Sequence, residues 1–203
     1  MSISNDIFDT FEPITMSAAQ GQLKTGDIML CSGNGTMSNI IKTGTNSVFS
    51  HVALLLPLPI TGQWLVLESV ESKGVRCVTL PHSYLHDYCG TGQAYDGKIL
   101  VARHQDMADQ QDNWSQLYRQ AFALIGSEYS EQDILRIAKR LASQIIGIDI
   151  HGQIKPGERY ICSEYVYTCL KAINICLPFD PLGFIAPADI ANAEKIKAVC
   201  RLL

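Results

Sequence analysis

Three side chains in this 203-residue sequence have the types that make a thiol nucleophile, its base and an orienting acid: Cys162, His51 and Glu68. Cys162 opens the stretch YICSEYVYTCL. Val166, Cys169, Leu170 and Ile173 stand at i+4, i+7, i+8 and i+11 from it, so the stretch reads as a helix with one apolar face that includes Cys162. A cysteine in a first helical turn meets the positive end of the helix dipole, a setting that favours thiolate over thiol. First-turn N–H groups, which lack intrahelical partners, can also donate to an oxyanion. Glu164 suits a helix start but opposes a thiolate.

His51 and Glu68 lie in two apolar runs, SHVALLL and QWLVLESV, joined by PLPITG. If that hairpin is symmetric about the centre of PLPITG, residues whose numbers sum to 119 face each other, and His51 stands opposite Glu68. This is one register among several, because a six-residue loop fixes pairing weakly. Opposed residues on one sheet face have Cβ atoms roughly 4.5–5.5 Å apart, within reach of an imidazole–carboxylate hydrogen bond. A titratable group inside an apolar strand needs such a partner. Cys, His and Glu would then form a nucleophile, a base and an orienter.

Other polar groups have plainer readings. Glu71 rivals Glu68 but falls at the strand end beside SKG, where an exposed turn residue is expected. His82, His86 and Cys89 form an H-x3-H-x2-C pattern with no convincing fourth ligand, so we expect no metal site. SGNGT lacks the rest of any phosphate-binding fingerprint and reads as a turn, and no cofactor is expected. His151 reads as an exposed loop residue, and Trp64 as either cleft wall or core. Cys31, Cys77, Cys169 and Cys176 read as small buried hydrophobes.

The elements that must hold these groups follow from the pattern. IMLC, SHVALLL, QWLVLESV, VRCVTL and KILVARH read as strands with short connections, hence an antiparallel meander. MSNIIKTG and PHSYLHDYCG read as short helices, and NWSQLYRQAFALIG as a longer one capped by Asp112 and stopped by Gly126. Residues 130–147 carry a helical period, DIHGQIKPGE reads as a loop, and PADIANAEKIKA as a last helix. Strands early and helices late give an α+β fold. We read residues 1–203 as a single domain: an N-terminal arm over 1–22, a mainly β half over 23–105 with His51 and Glu68, a helical segment over 106–158, and the Cys162 helix with the C-terminal region over 159–203.

The formal net charge is −4 with no Lys/Arg cluster, which argues against a nucleic-acid groove or a polybasic membrane contact. The first 20 residues lack a secretory pattern, and the longest apolar run, VALLLPLPI, is too short to span a bilayer. We expect a cytoplasmic protein without a transmembrane segment. Its seven scattered cysteines, an odd count, do not form a disulfide framework.

LKTGDIMLCSG, FSHVALLL, WLVLESV, ALIGSEYS, YICSEYV and FIAPADI, in this order, resemble the permuted papain-like cysteine amidases, the circularly permuted branch of the NlpC superfamily that includes relatives of lecithin–retinol acyltransferase. The resemblance runs from about residue 23 to residue 190. It implies a papain-like, circularly permuted fold, with a small antiparallel sheet or barrel packed on the nucleophile's helix and additional helices. It maps the nucleophile onto Cys162, the base onto His51 and the third polar residue onto Glu68; Gly26-Asp27 matches a family motif to which we attach no catalytic role. The implied chemistry is attack on an amide, peptide or acyl bond through a thioester, with a small peptide or amide as substrate. Acyl transfer or thioester hydrolysis on a lipid or acyl donor is the alternative, and a non-catalytic binding module of the same fold is another. The oligomeric state is not readable.

Overall fold

The computed structural model describes residues 3–130, 160–177 and 184–203. The helical period over 130–147 and the loop holding His151 lie almost wholly outside the described residues. Six strands form one antiparallel sheet: β1 (Asp27–Gly33), β2 (His51–Pro57), β3 (Trp64–Val70), β4 (Gly74–Thr79), β5 (Gly97–His104) and β6 (Ile196–Arg201). Their order is β4-β3-β2-β1-β5-β6, so the expected meander makes one half and β5 returns to the far side of β1. The described helices are α1 (Ile7–Thr10), α2 (Met16–Gln20), α3 (Thr36–Thr45), α4 (Trp114–Ala123), α5 (Cys162–Lys171) and α6 (Pro187–Asn192).

β2 is central, and Val52 through Leu56 are wholly buried, which is why the strand is a continuous apolar run rather than an alternating one. One face, with Val52, Leu54, Leu56, Leu65 and Leu67, packs on Tyr165, Val166, Cys169 and Leu170 of α5. The other, with Ala53, Leu55, Trp64 and Val66, packs on Leu80, Tyr84 and Leu202. Each such Leu or Val contributes roughly 1.5–3 kcal/mol by its burial. Trp64 is therefore core.

The β2–β3 register differs from the symmetric one. Leu54 pairs with Leu67 and Pro57 with Trp64, so facing residues sum to 121 rather than 119. Pro57 occupies the last ladder position of β2 instead of starting the loop, and Leu58 N–H donates to Gln63 O at 2.7 Å to close it. The slip of two keeps every side chain on its expected face.

Two further segments depart from the sequence reading. The last helix stops at Asn192, and Ile196–Arg201 is a strand on the free edge of β5. Asp112 does not cap α4; residues Gln105–Asn113 form a 3-10 segment that runs into it, with no side-chain cap at Asn113. The N-terminal residues pack down: Ile3, Ile7 and Phe8 are buried, and Phe8 carries Lys98 and Arg201 as cation–π partners.

Gly26-Asp27 has a structural task. Gly26 takes φ +81°, and a Cβ there would lie 2.6 Å from the Met107 side chain. Asp27, wholly buried, holds Arg103 Nε at 2.6 Å and Nη2 at 2.8 Å and accepts from Lys24 N–H at 2.8 Å, tying β1 to β5.

Candidate active site

A cleft of about 360 Å³ opens at the end of the sheet where β1 finishes, β2 begins and β3 finishes. Its wall includes Gly33, Ser50, His51, Tyr88, Tyr129 and Cys162.

Cys162 is the first residue of α5, as its sequence position requires, and is 3% exposed. The chain is pinned immediately before it. Tyr160 N–H donates to Glu128 O at 3.1 Å, and the buried Ser69 hydroxyl of β3 donates to Tyr160 O at 2.6 Å. Residues 126–127 are in turn held on β4: Val75 N–H donates to Ser127 O, and Gly74, at φ +68°, leaves the room that this carbonyl occupies. Within the first turn, Ser163 donates to Ile185 O at 2.6 Å and Tyr165 to Ala121 O at 2.9 Å. Glu164 accepts from Ile161 N–H at 3.4 Å, so its carboxylate serves the helix start.

His51 is the first residue of β2, at the rim of the sheet, with its side chain 20% exposed. Its Nε2 lies 2.6 Å from Glu68 Oε2, and it shares the cleft wall with Cys162. With Nε2 engaged by the carboxylate, Nδ1 is the ring nitrogen left for the thiol. Burial pushes the His51 ring down. The charge of and hydrogen bond to Cys162, followed by those of Glu68, override it and raise the value to about 10.

Glu68 is wholly buried on the face of β3 opposite α5. Its Oε2 accepts from His51 and from the Tyr84 hydroxyl, and its Oε1 accepts from Arg76 Nε at 2.9 Å and Nη2 at 2.7 Å. Burial raises a carboxyl, yet these donors and the charges of His51 and Arg76 outweigh it and hold Glu68 below the ordinary value. Arg76 and Tyr84 are the residues that the sequence reading missed. Arg76 faces Glu68 directly in the β3–β4 ladder, so a cross-strand reading of VRCVTL was the available signal. Tyr84 sits in a π-helical turn, Pro81–His86, for which no periodic pattern exists.

The structure thus brings Cys162, His51 and Glu68 together. The other cysteines differ. Cys31, opposite His51 in the β1–β2 ladder, is wholly buried and its thiol is pushed up, first by burial. Cys169, in the core of α5, is pushed up by burial to about 12. Cys176 and Cys89 are exposed, and all seven cysteines are unpaired. Glu71 is exposed on the cleft margin and is not a partner of His51. His82 and His86 sit exposed in the turn before Cys89, and among the described residues no three His, Cys, Asp or Glu side chains gather into a group that could hold a metal ion.

An antiparallel sheet with a cysteine-led helix across one face and a histidine strand preceding it in the chain is the plan of a papain-like cysteine hydrolase in permuted order. Residues 22–180 match the family described as permuted papain-like amidase enzyme, YaeF/YiiX, C92 family, and the chain belongs to that family. It is accordingly an amidase-type cysteine hydrolase. The crystal structure of the metalloprotein YiiX from Escherichia coli O157:H7 superposes with a TM-score of 0.60 at 19% identity, over 89% of this chain and 98% of that one, which bears on the fold. No curated protein matches the sequence. Among the described residues, no helix is long and apolar enough to cross a membrane.

Proposed function

We propose that Cys162, His51 and Glu68 form the catalytic triad and that the protein cleaves an amide or peptide-type bond of a small substrate through a thioester. The observation that carries this is the placing of His51, whose Nε2 lies 2.6 Å from Glu68 Oε2 while its ring shares the cleft wall with Cys162. Cys162 gives its thiol proton to His51 Nδ1, which becomes the imidazolium. The sulfur attacks the carbonyl carbon, and the Cys162 N–H at the start of α5 donates to the oxyanion. Imidazolium Nδ1–H passes its proton to the leaving nitrogen as the C–N bond breaks, leaving a thioester. Water then attacks the thioester while Nδ1 takes its proton, releasing the acid and returning the thiol proton to the His51–Cys162 pair. Glu68 accepts from Nε2–H throughout and fixes the ring.

The chain is further inferred to be one domain of the NlpC superfamily working in the cytoplasm; its unpaired cysteines fit a reducing compartment. The test is iodoacetamide at limiting dose with peptide mapping. Cys162 is expected to be labelled first, with the labelling lost in His51→Ala. Equal labelling of Cys169 or Cys176, or indifference to His51→Ala, defeats the assignment. Turnover of amide against ester substrates, with Cys162→Ala as control, separates hydrolysis at an amide from acyl transfer.

A further inference from the structure

The triad's acid is not left alone in the core. Glu68 stands opposite Arg76 in the β3–β4 ladder, and Arg76 places both Nε and Nη2 on Oε1, leaving Oε2 for His51 and Tyr84. Read from Arg76 to His51, the charges alternate: guanidinium, carboxylate, imidazolium. Glu68 has a positive group on both sides. The other titratable groups whose fields meet Glu68, among the described residues, are Cys31 on β1, Tyr84, Tyr88 and Tyr95 beside the second core, and Tyr165 on α5. Burial, first in each case, pushes these up, so they are uncharged at neutral pH and offer Glu68 no permanent charge. Arg76 does, because a guanidinium does not lose its proton in proteins.

The consequence concerns the imidazole tautomer. An ionised carboxylate can only accept, so His51 Nε2 must carry a hydrogen and Nδ1 is the site where the thiol proton arrives and leaves. A protonated Glu68 can donate. Nε2 would then accept, the single ring hydrogen would move to Nδ1, and that edge could take nothing from Cys162. A wholly buried carboxyl without its cation is driven toward that protonated form.

We infer that Arg76 is a positioning residue of the site: seated on Glu68 Oε1 from the neighbouring strand, it keeps the buried carboxylate an acceptor and so keeps His51 Nδ1, the edge facing Cys162, free to carry the moving proton. This rests on the triad reading above.

The experiment follows Cys162 alkylation by iodoacetamide against pH in wild type, His51→Ala, Arg76→Met and Arg76→Lys, each checked for native circular dichroism. In Arg76→Met the rate at pH 7 should fall about 10–100-fold and recover as pH rises and Glu68 ionises, while Arg76→Lys, which restores the charge, should return to within about threefold of wild type. A wild-type profile in Arg76→Met overturns the inference while leaving the triad intact. Indifference to His51→Ala overturns the triad reading and the inference with it. Should Arg76→Met fail to fold, ring 15N and side-chain carboxyl 13C shifts of the wild type decide. A His51 Nε2–H beside an ionised Glu68 is expected at neutral pH, and a protonated Glu68 or a neutral Nδ1–H ring overturns the proposal.

Discussion

His51 Nε2 lies 2.6 Å from Glu68 Oε2 although the two residues are not opposite each other in the β2–β3 ladder. The hydrogen bond is diagonal, and the length of the two side chains closes the gap. Replacing Glu68 with Gln keeps the shape but removes the charge and lets the side chain donate to Nε2. Amide turnover is expected to drop on the order of 10²–10⁴-fold, with substrate KM little changed. Steady-state kinetics decide; a loss confined to KM would mean that Glu68 binds substrate instead.

The raised value of His51 has a sign that can be measured. Its folded value is about 10 against an ordinary 6.5. A raised group stabilises the fold fully below its unfolded value and loses that contribution as pH climbs through the folded one. The His51 share of stability is therefore expected to persist below about pH 6.5 and to fade toward pH 10. Cys162→Ala removes the charge and hydrogen bond that most strongly oppose burial at this ring, so the His51 titration seen by NMR should move down in that variant. No movement would show that Glu68 alone holds the proton.

Ser69 is a buried hydroxyl whose partner is the Tyr160 carbonyl, two residues before Cys162. Ser69→Ala leaves that carbonyl without its donor and is expected to cost about 1–3 kcal/mol in urea unfolding. Because the lost bond positions the start of α5, turnover at saturating substrate should fall as well. Unchanged turnover in the folded variant would separate this tether from catalysis.

Asp27→Ala removes one partner of the buried pair with Arg103 and the acceptor of Lys24 N–H. Since Arg103 is partly exposed, a loss on the order of 3 kcal/mol is expected, with activity per folded molecule retained. A selective loss of turnover at unchanged stability would give the Gly26-Asp27 turn a role that its distance from the cleft does not suggest.

How legible this was depended on burial. β2 and β3 were readable because both of their faces are covered, so their apolar runs are unbroken. The pairing of His51 with Glu68 was readable in face but not in register, because Pro57 sits in the ladder rather than the loop and the hairpin length does not say so. β6 was not readable. Only Ile196 and Cys200 of its six residues are buried, and its strand state comes from the free edge of β5, a long-range partner that local pattern does not announce. In the cleft, the place of Cys162 at the start of its helix was legible from the helical period, whereas the place of Arg76 opposite Glu68 appears only once β4 is laid beside β3.

The order of these parts along the chain matters during synthesis. β1 to β4, with His51, Glu68 and Arg76, precede residue 80, whereas Cys162 comes at the start of α5. A ribosome making this protein therefore emits one face of β2 and β3 long before the helix that covers it, because Val52, Leu54, Leu56, Leu65 and Leu67 pack on α5. The cleft wall that holds both His51 and Cys162 is complete only once α5 has docked.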